Sequence, residues 1–338
     1  MFKEETVIIL GAGTSAEFDL PTGRGIFDQI AEPDKSPTHN GAFGYNFSEF
    51  SKDRIGDFHS LKELLKLGQQ GYHQSIDLLA IRNPSLISQA KLLSSWCLLS
   101  EMYAPDFSSN SVNSNYSRIR PTYNWRKSKI NGYRNWVGAI VEKYLAAGLT
   151  EDELNKNKLS VISFNYDTLF NDAFKHFIKQ DEIYKAISSK VGPEIIHVFG
   201  SFPPIKSEVF DIDVETHAEK IYFMDENNKN LEQQVNRTKK LLENAKKVLL
   251  LGFDCHPRNV ELIGLRDIKA DIYAINYNGN QDLNVRLKEM LDLPEDHIMS
   301  GKPGDEMGIS KAFSAGFLAY PDRFSNRSIY EDRGILSL

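Results

Sequence analysis

The sequence predicts an α/β fold, a doubly wound parallel sheet that carries a mostly helical insertion. Short apolar runs rich in β-branched residues recur along the chain, as in strands that are buried on both faces. Stretches in which apolar residues recur at helical spacing follow most of these runs. Each run ends in glycine or in polar residues, which is typical of the ligand-binding edge of Rossmann-like sheets.

The first apolar run, residues 7–10, leads into a glycine turn. Glycine lets the backbone approach a phosphate closely, and free N–H groups at the start of the next helix attract negative charge. We therefore predict that this turn binds the phosphates of a nucleotide, through Gly11, Ala12, Gly13, Thr14 and Ser15. The same pattern also occurs in tight strand-to-helix turns that bind nothing, and the sequence leaves that alternative open.

The segment after this turn does not fit a redox-type dinucleotide site. Such a site has an acidic residue at the end of a second strand, about twenty residues past the glycines. Here a predicted helix at residues 21–30 is followed by a loop at residues 33–44, so Glu32 and Asp34 do not end a strand. A dehydrogenase is therefore disfavoured.

Four further strands are predicted, at residues 159–164, 194–199, 248–251 and 271–275. Because ligands bind outside the carboxyl ends of parallel strands, the residues that follow these strands form one predicted site with the glycine turn. Its further members are Asn165, Tyr166, Asp167, Gly200, Ser201, Gly252, Phe253, Asp254 and Asn276.

These patterns divide the chain into a sheet domain and an insertion. We predict that residues 1–50 begin the sheet domain, that 51–150 form the helical insertion, that 151–300 complete the sheet domain and that 301–338 are a C-terminal extension packed on it. Residues 105–122, rich in serine and asparagine, are predicted to be a surface loop. Residues 123–136 interleave aromatic and basic side chains, which suits a nucleic acid strand or, the favoured interpretation, amphipathic helix ends.

Composition and charge argue against several classes of protein. The 338 residues carry a net charge of −6 with mixed signs, unlike a protein that coats nucleic acid. No apolar run has the length of a membrane span, and Cys97 and Cys255 lie far apart without a CxxC pair. The eight histidines form no HxxxH or HExxH pair. We expect a cytoplasmic protein without a disulfide framework, a metal site or a membrane anchor.

In this order the motifs resemble those of the Sir2-like family, which has the sirtuin fold, and in particular its prokaryotic anti-phage branch of NAD-consuming proteins. GAGTSAEFDLPTGR is similar to the family's glycine loop, with Asp19 where a glycine is usual. FNYD resembles the motif of the nicotinamide–ribose pocket, LGFD resembles a later glycine turn, and AIN carries Asn276 to the position that meets the adenosine ribose. In the glycine loop the matching positions are Gly11, Ala12, Gly13, Ser15, Pro21 and Arg24.

The chain departs from the family pattern in two places. It lacks the four cysteines of the zinc ribbon that sirtuin deacetylases carry. The family's catalytic histidine precedes a glycine, and here Phe199 stands before Gly200. His197 lies on the same strand face, about 6.6 Å away, and is either the base or a buried histidine bonded to a neighbouring strand. His256 is a second candidate for the base, whereas a nucleophilic pair of Cys255 and His256 is disfavoured because consecutive side chains diverge.

The resemblance implies an NAD⁺ hydrolase that cleaves the nicotinamide–ribose bond to give ADP-ribose and nicotinamide in antiviral defence, with NAD as substrate and no metal. It implies that Asn165, Asp167 and His197 are catalytic, although Asp167 also suits the cap of the helix that follows. It further implies a homo-oligomer with a defence partner or a phage-derived trigger, and with nucleic acid involved only indirectly. Two alternatives stay open: a catalytically silent subunit that binds NAD or ADP-ribose, and an NAD-dependent protein deacylase. The deacylase is ranked last because the chain lacks the zinc ribbon.

Overall fold

The structure is a computed structural model, and it describes residues 1–31, 66, 76–106, 118–121, 129–130, 133–203, 213–224, 226–276, 281–300 and 308–314. Its strands are β1 Thr6–Leu10, β2 Tyr103–Asp106, β3 Arg118–Pro121, β4 Lys129–Ile130, β5 Tyr133–Arg134, β6 Leu159–Ser163, β7 Glu194–His197, β8 Lys247–Leu251, β9 Asp271–Asn276 and β10 Ile298–Ser300. Its helices are α1 Ala12–Ala16, α2 Gly23–Ala31, α3 Ile76–Arg82, α4 Ile87–Met102, α5 Trp136–Leu145, α6 Glu151–Leu154, α7 Leu169–Gln180, α8 Glu182–Lys185, α9 Val214–Ala218, α10 Lys229–Asn244, α11 Pro257–Leu262, α12 Gln281–Leu291 and α13 Ile309–Ser314, with 3-10 turns at Pro84–Leu86 and Glu295–His297.

The six strands of the main sheet are parallel and lie in the order β10–β9–β8–β1–β6–β7. β1 is central and pairs with β6 on one side and β8 on the other along its whole length. All of its residues are buried, because both faces of the sheet are covered, and this explains why its sequence is a nearly continuous apolar run. The predicted doubly wound parallel sheet is confirmed.

The strand order places a topological switch point between β1 and β8. After β1 the chain moves outward to β6 and β7, and after β8 it moves outward in the opposite direction to β9 and β10. The connections that leave the carboxyl ends of β1 and β8 therefore diverge. A crevice at such a point is where open parallel sheets bind their ligands.

Helices between β1 and β6 share a hydrophobic core with the sheet. Side chains alternate along β1, so Ile8 and Leu10 enter one core cluster while Val7 and Ile9 enter another. The first cluster also contains the buried faces of α4 and α5. At the start of α5, Trp136 stacks on Phe170 of α7, with ring centroids 5.8 Å apart. These helices thus cover one face of the sheet.

The described part of the C-terminal segment, α13, is joined to the chain after α1 by a buried cluster of hydrogen bonds. Ser310 donates to the carboxylate of Glu17 from its backbone nitrogen at 3.1 Å and from its hydroxyl at 2.6 Å. The same hydroxyl oxygen accepts a bond of 3.0 Å from the backbone nitrogen of Trp136. Burial raises the pKa of Glu17, and the bonds from Ser310 oppose that increase.

The structure differs from the sequence-based expectations in several places. β10 extends the sheet where no strand was predicted, and β7 ends at His197 because the chain turns there, with the Gly200 N–H donating to the His197 carbonyl at 3.2 Å. The prediction of a loop at residues 105–122 is wrong at both ends of that range, where β2 and β3 pair antiparallel. Residues 107–117 lie outside the described ranges. β4 and β5 form a short antiparallel pair within the aromatic and basic segment, whose residues 123–128 are also not described.

Within the described ranges, no helix combines the length and the apolar character needed to cross a membrane.

Candidate functional site

Two glycine turns pack against each other at the switch point. The N–H of Gly11 donates to the Leu251 carbonyl at 3.0 Å, and the N–H of Gly13 donates to the Gly252 carbonyl at 3.1 Å. A Cβ on Gly11 would lie 2.4 Å from the Gly252 oxygen, and Gly252 itself has a φ of +55° and approaches the Thr14 nitrogen. Glycine is therefore required here by contact between the two backbones. Two N–H groups of the turn predicted to bind phosphates, those of Gly11 and Gly13, are thus used within the protein.

The backbone of Asp19 explains its departure from the glycine that the Sir2-like pattern has at this position. Asp19 has a φ of +69°, in the left-handed region that favours glycine. Aspartate tolerates this region better than most residues that carry a Cβ. The loop thus keeps the glycine-like conformation with a different residue.

Asn165, just after β6, forms hydrogen bonds with the first glycine turn. Its Nδ2 lies 3.1 Å from the Gly11 carbonyl oxygen, 3.1 Å from the Thr14 hydroxyl and 2.9 Å from the Ser15 hydroxyl. Thr14 in turn donates to the Gly11 carbonyl at 2.7 Å, so its hydroxyl is part of the turn itself. The amide nitrogen of Asn165 therefore links the end of β6 to the start of α1.

Asp167 completes this link and also bonds to Leu169, the first residue of α7. Its Oδ2 accepts a bond of 2.8 Å from the Ser15 hydroxyl, and its Oδ1 accepts one of 3.0 Å from the Leu169 nitrogen. The side chain is 6% exposed. Burial raises the pKa of Asp167, while the bonds from Ser15 and Leu169 oppose that increase. The expected helix cap is wrong in position, because Thr168 occupies the N-cap and Asp167 bonds to the first helical N–H from the residue before it. This bond leaves Asp167 in the cavity lining.

A cavity of about 620 Å³ opens at the carboxyl ends of these strands, within the size range of ligand pockets. Most of the predicted site residues line it: Gly11, Ala12, Gly13, Ser15, Pro21, Arg24, Asn165, Tyr166, Asp167, Gly252, Phe253 and Asp254. Four predicted residues are not part of the lining that the described residues form, namely Thr14, His197, Gly200 and Ser201. The backbone of Asn276 ends β9, and its side chain lies outside what the structure describes. Gly200 instead allows a close backbone approach, since a Cβ there would lie 2.0 Å from the Lys220 carbonyl oxygen.

His197 uses both ring nitrogens in contacts away from the cavity. Its Nδ1 lies 3.1 Å from the Asn165 carbonyl oxygen, and its Nε2 lies 3.2 Å from Asn171 Oδ1. Burial lowers the pKa of His197, and the bond to the Asn165 carbonyl partly offsets this. His197 therefore supports the loop that carries Asn165 by bonding to its backbone.

Three aromatic rings form one wall of the cavity. Phe164 lies against Phe199 and Phe253, with ring centroids 5.6 Å and 4.9 Å apart. All three residues line the cavity, so Phe199 occupies the wall at the position where the Sir2-like pattern has a histidine. This wall can stack on a flat ring but cannot accept a proton.

Asp77 is a cavity-lining residue that the sequence did not reveal. It comes from the first turn of α3, and its Oδ1 lies 3.3 Å from the hydroxyl of Tyr166. Desolvation raises the pKa of Asp77 to about 6; the bond from Tyr166 opposes the increase and the negative charge of Asp254 adds to it. A helical segment with one aspartate carries no pattern that could have identified this contact.

Two polar side chains near the start of α11 line the cavity, and each has one buried atom without a hydrogen-bond partner. His256 Nδ1 and Asn259 Oδ1 are buried and have no hydrogen-bond partner among the described residues, and both side chains line the cavity. Buried polar atoms are usually hydrogen-bonded, so an ordered water molecule would suit each of these two. Between β8 and α11, Cys255 is buried in the second core cluster, and burial raises the pKa of its thiol.

No group of three or more histidine, cysteine, aspartate or glutamate side chains in the described part of the chain is arranged to hold a metal ion.

No protein-family model matches the sequence, and no curated protein matches it. Among solved structures, the chain is similar to a histidine-to-asparagine mutant of a Sir2 homologue in complex with ADP-ribose, with 13% identity, 92% of this chain and 91% of that chain covered, and a TM-score of 0.39. It is also similar to a complex of a Sir2 homologue with NAD, with 14% identity, 92% and 89% of the two chains covered, and a TM-score of 0.37.

Proposed function

We propose that this protein is an NAD glycohydrolase that cleaves the nicotinamide–ribose bond to give ADP-ribose and nicotinamide. The observation that carries the proposal is the link from Asn165 and Asp167 through Ser15 to the glycine turn. It fixes an amide and a carboxylate in the wall of a cavity at the switch point of the sheet. The order of motifs in the sequence supports NAD as the substrate.

The charges in the cavity lining suit two parts of NAD, the nicotinamide ribose and the pyrophosphate. Cleavage develops positive charge on the ribose as the bond to the nicotinamide ring breaks, and a nearby carboxylate such as Asp167 stabilises it. Arg24 and Arg286 also line the cavity and suit a pyrophosphate. Because the N–H groups of Gly11 and Gly13 bond to the turn after β8, we expect these arginines to contribute much of the phosphate binding.

Asn165 is assigned the role of positioning the reacting groups. Its amide nitrogen is committed to the glycine turn. Its amide oxygen then serves as an acceptor for a water molecule or for the carboxamide of nicotinamide.

The second candidate function is a catalytically silent subunit that binds NAD or ADP-ribose. Two observations favour it: Phe199 stands in the cavity wall where the related pattern has a histidine, and His197 is bonded away from the cavity. Such a protein would retain the binding cavity and the unsatisfied atoms of His256 and Asn259.

The biological setting that we propose rests on the motif resemblance alone. It comprises antiviral defence in the cytoplasm, a homo-oligomer, and activation by a partner protein or a phage-derived trigger.

Loss of NAD, measured with the purified full-length chain alone and with lysate of phage-infected bacteria, tests the proposal. We expect stoichiometric nicotinamide and ADP-ribose from the wild type and at least a hundredfold loss of rate in Asn165→Ala. Asn244→Ala, which removes an exposed amide on α10, is the matched control and should keep the wild-type rate.

The outcomes separate the candidates. Binding of ADP-ribose without NAD cleavage under either condition would support the silent subunit and overturn the hydrolase. Nicotinamide release that requires an acyl-lysine peptide would support a deacylase instead.

A further inference from the structure

Asp77 and Tyr166 bring a carboxyl group of the helical segment to the end of β6. The Tyr166 hydroxyl lies 3.3 Å from Asp77 Oδ1 and 3.4 Å from the Tyr222 carbonyl oxygen. The preceding residue, Asn165, holds the glycine turn at the same time. Consecutive residues of one motif therefore position both the glycine turn and the carboxyl of α3 at the wall of one cavity.

Hydrolysis of NAD requires an acceptor for a proton of the attacking water. Phe199 cannot serve, and both nitrogens of His197 are bonded outside the cavity. Asp167 has both carboxylate oxygens engaged, one with Ser15 and one with Leu169. Asp254 accepts a bond from the backbone nitrogen of His256 and is exposed to solvent. Asp77 and His256 are the remaining candidates among the described lining residues.

We propose that Asp77 is the general base of NAD hydrolysis and that Tyr166 positions it; this inference rests on the proposed function. The water oxygen bonds to the anomeric carbon of the nicotinamide ribose as the carbon–nitrogen bond breaks. The electron pair of that bond moves to the ring nitrogen and neutralises it, and nicotinamide leaves. The water proton passes to the Asp77 carboxylate and then to solvent. The products are nicotinamide, ADP-ribose and one proton.

The surroundings of Asp77 suit this role at neutral pH. With a pKa of about 6, its carboxyl is ionised at pH 7 and still basic enough to take a proton. Removing the Tyr166 hydroxyl should raise that pKa further, since the hydrogen bond favours the charged form. The other charged or titratable groups around the cavity are Arg24 of α2, Asp167, Asp254, His256 and Arg286 of α12. Behind Tyr166, Lys91 of α4 and Glu226 form an ion pair of 2.6 Å.

The pH dependence of NAD hydrolysis tests the proposal. For the wild type, kcat/KM should rise with pH through an ionisation near 6 and then level off. Asp77→Asn keeps the shape of the side chain and should lower kcat by about a hundredfold or more, remove this rise and leave the affinity for NAD within about twofold. In Tyr166→Phe the rise should move to higher pH. Asp152→Asn, on the exposed surface of α6, controls for the loss of one negative charge and should behave as the wild type.

A second measurement does not depend on turnover. Carboxyl carbon NMR, with Asp77→Asn to assign the signal, follows the ionisation of Asp77 with ADP-ribose or with carba-NAD, which cannot be hydrolysed. Carba-NAD carries the positive nicotinamide ring, so it should lower the pKa of Asp77 more than ADP-ribose does. Equal effects of the two ligands would place Asp77 away from the scissile bond and overturn the inference.

The failure of this inference and that of the proposed function are distinguishable. Wild-type hydrolysis with an unchanged pH profile in Asp77→Asn would overturn the role of Asp77 and leave the hydrolase intact. If His256→Ala, and not Asp77→Asn, removes the rise of kcat/KM with pH, His256 is the base and the role of Asp77 is overturned. Absence of hydrolysis by the wild type under every condition would overturn the proposed function and the role of Asp77 with it.

Discussion

The hydroxyl of Ser15 lies 2.9 Å from the Asn165 amide nitrogen and 2.8 Å from Asp167 Oδ2, so it bridges two side chains that follow β6. Ser15 is 3% exposed and Asp167 is 6% exposed, so the bridge is shielded from water. A buried carboxylate needs hydrogen-bond donors to remain charged. Ser15 is therefore important for the ionisation of Asp167 as well as for the position of Asn165.

Replacement of Ser15 by alanine should destabilise the protein and perturb the site. Removing one partner of a buried charged group costs about 1–3 kcal/mol. The measurement is chemical denaturation at pH 7, with Ser188→Ala as control because that hydroxyl bonds only locally, to the Lys185 carbonyl at 2.9 Å. Equal stability of the two variants would contradict the bridge.

The contact between the glycine turns predicts different costs for two glycine substitutions. Gly252 has a φ of +55°, and a Cβ there would lie 2.5 Å from the Thr14 nitrogen. Gly264 has a similar φ of +67°, but a Cβ there meets nothing within 4 Å. Gly264→Ala should cost about 1–2 kcal/mol of stability from backbone strain alone. Gly252→Ala should cost clearly more in the same denaturation experiment, and equal costs would show that the turns can separate freely.

The left-handed backbone of Asp19 predicts the ranking of its variants. Asp19→Gly should be more stable than Asp19→Ala by about 1 kcal/mol, because glycine has no steric penalty at a φ of +69°. Thermal unfolding of the two variants gives the comparison. A more stable alanine variant would contradict the conformation.

The buried carboxyl of Glu17 predicts a pH-dependent difference in stability. Its pKa is raised in the folded state, so protonated Glu17 stabilises the fold below the ordinary value of 4.5, and this contribution is lost as pH rises through the higher folded value. Glu17→Gln mimics the protonated form, so its stability relative to the wild type should increase between pH 4 and pH 7. Denaturation at several pH values measures this. Glu153→Gln should change in the opposite direction, since hydrogen bonds from Thr150 and Leu149 lower the pKa of Glu153.

The place of Asn259 in the cavity lining predicts a contact with ligand. Asn259→Ala should weaken binding of ADP-ribose by about tenfold, the effect of losing one hydrogen bond, without loss of stability. Calorimetric titration provides the affinity, and Asn244→Ala on α10 serves as the control for an exposed amide. Unchanged affinity would place the ligand away from α11.

The parallel sheet and the convergence of its strand ends could be predicted from the sequence because they depend on local patterns. Apolar runs locate β1, β6, β8 and β9, and the rule for ligand binding at strand ends brings Gly11, Asn165 and Gly252 together. The role of Gly11, Gly13 and Gly252 in mutual packing could not be predicted in the same way. Their contact joins turns that are far apart in the sequence, and no periodicity reports such a pairing.

The contacts of Asp77 and His197 could not be predicted from the sequence. Asp77 reaches the cavity through packing of α3 against α2 and α4, which depends on tertiary geometry. His197 lies on the expected strand, but the chain turns directly after it, and the imidazole bonds to the loop that carries Asn165. The face of a strand can be read from a sequence, whereas the partner of a side chain at its end cannot.

The mutual contact of the glycine turns also determines when the cavity can form during synthesis. Residues 11–13 pack against and bond to residues 251–253. The nascent chain therefore cannot form this part of the cavity until the ribosome has added both segments. Contacts of such long sequence separation form late in folding. An N-terminal fragment therefore lacks half of the site, so the NAD hydrolysis that we propose would begin only after synthesis of the sheet is complete.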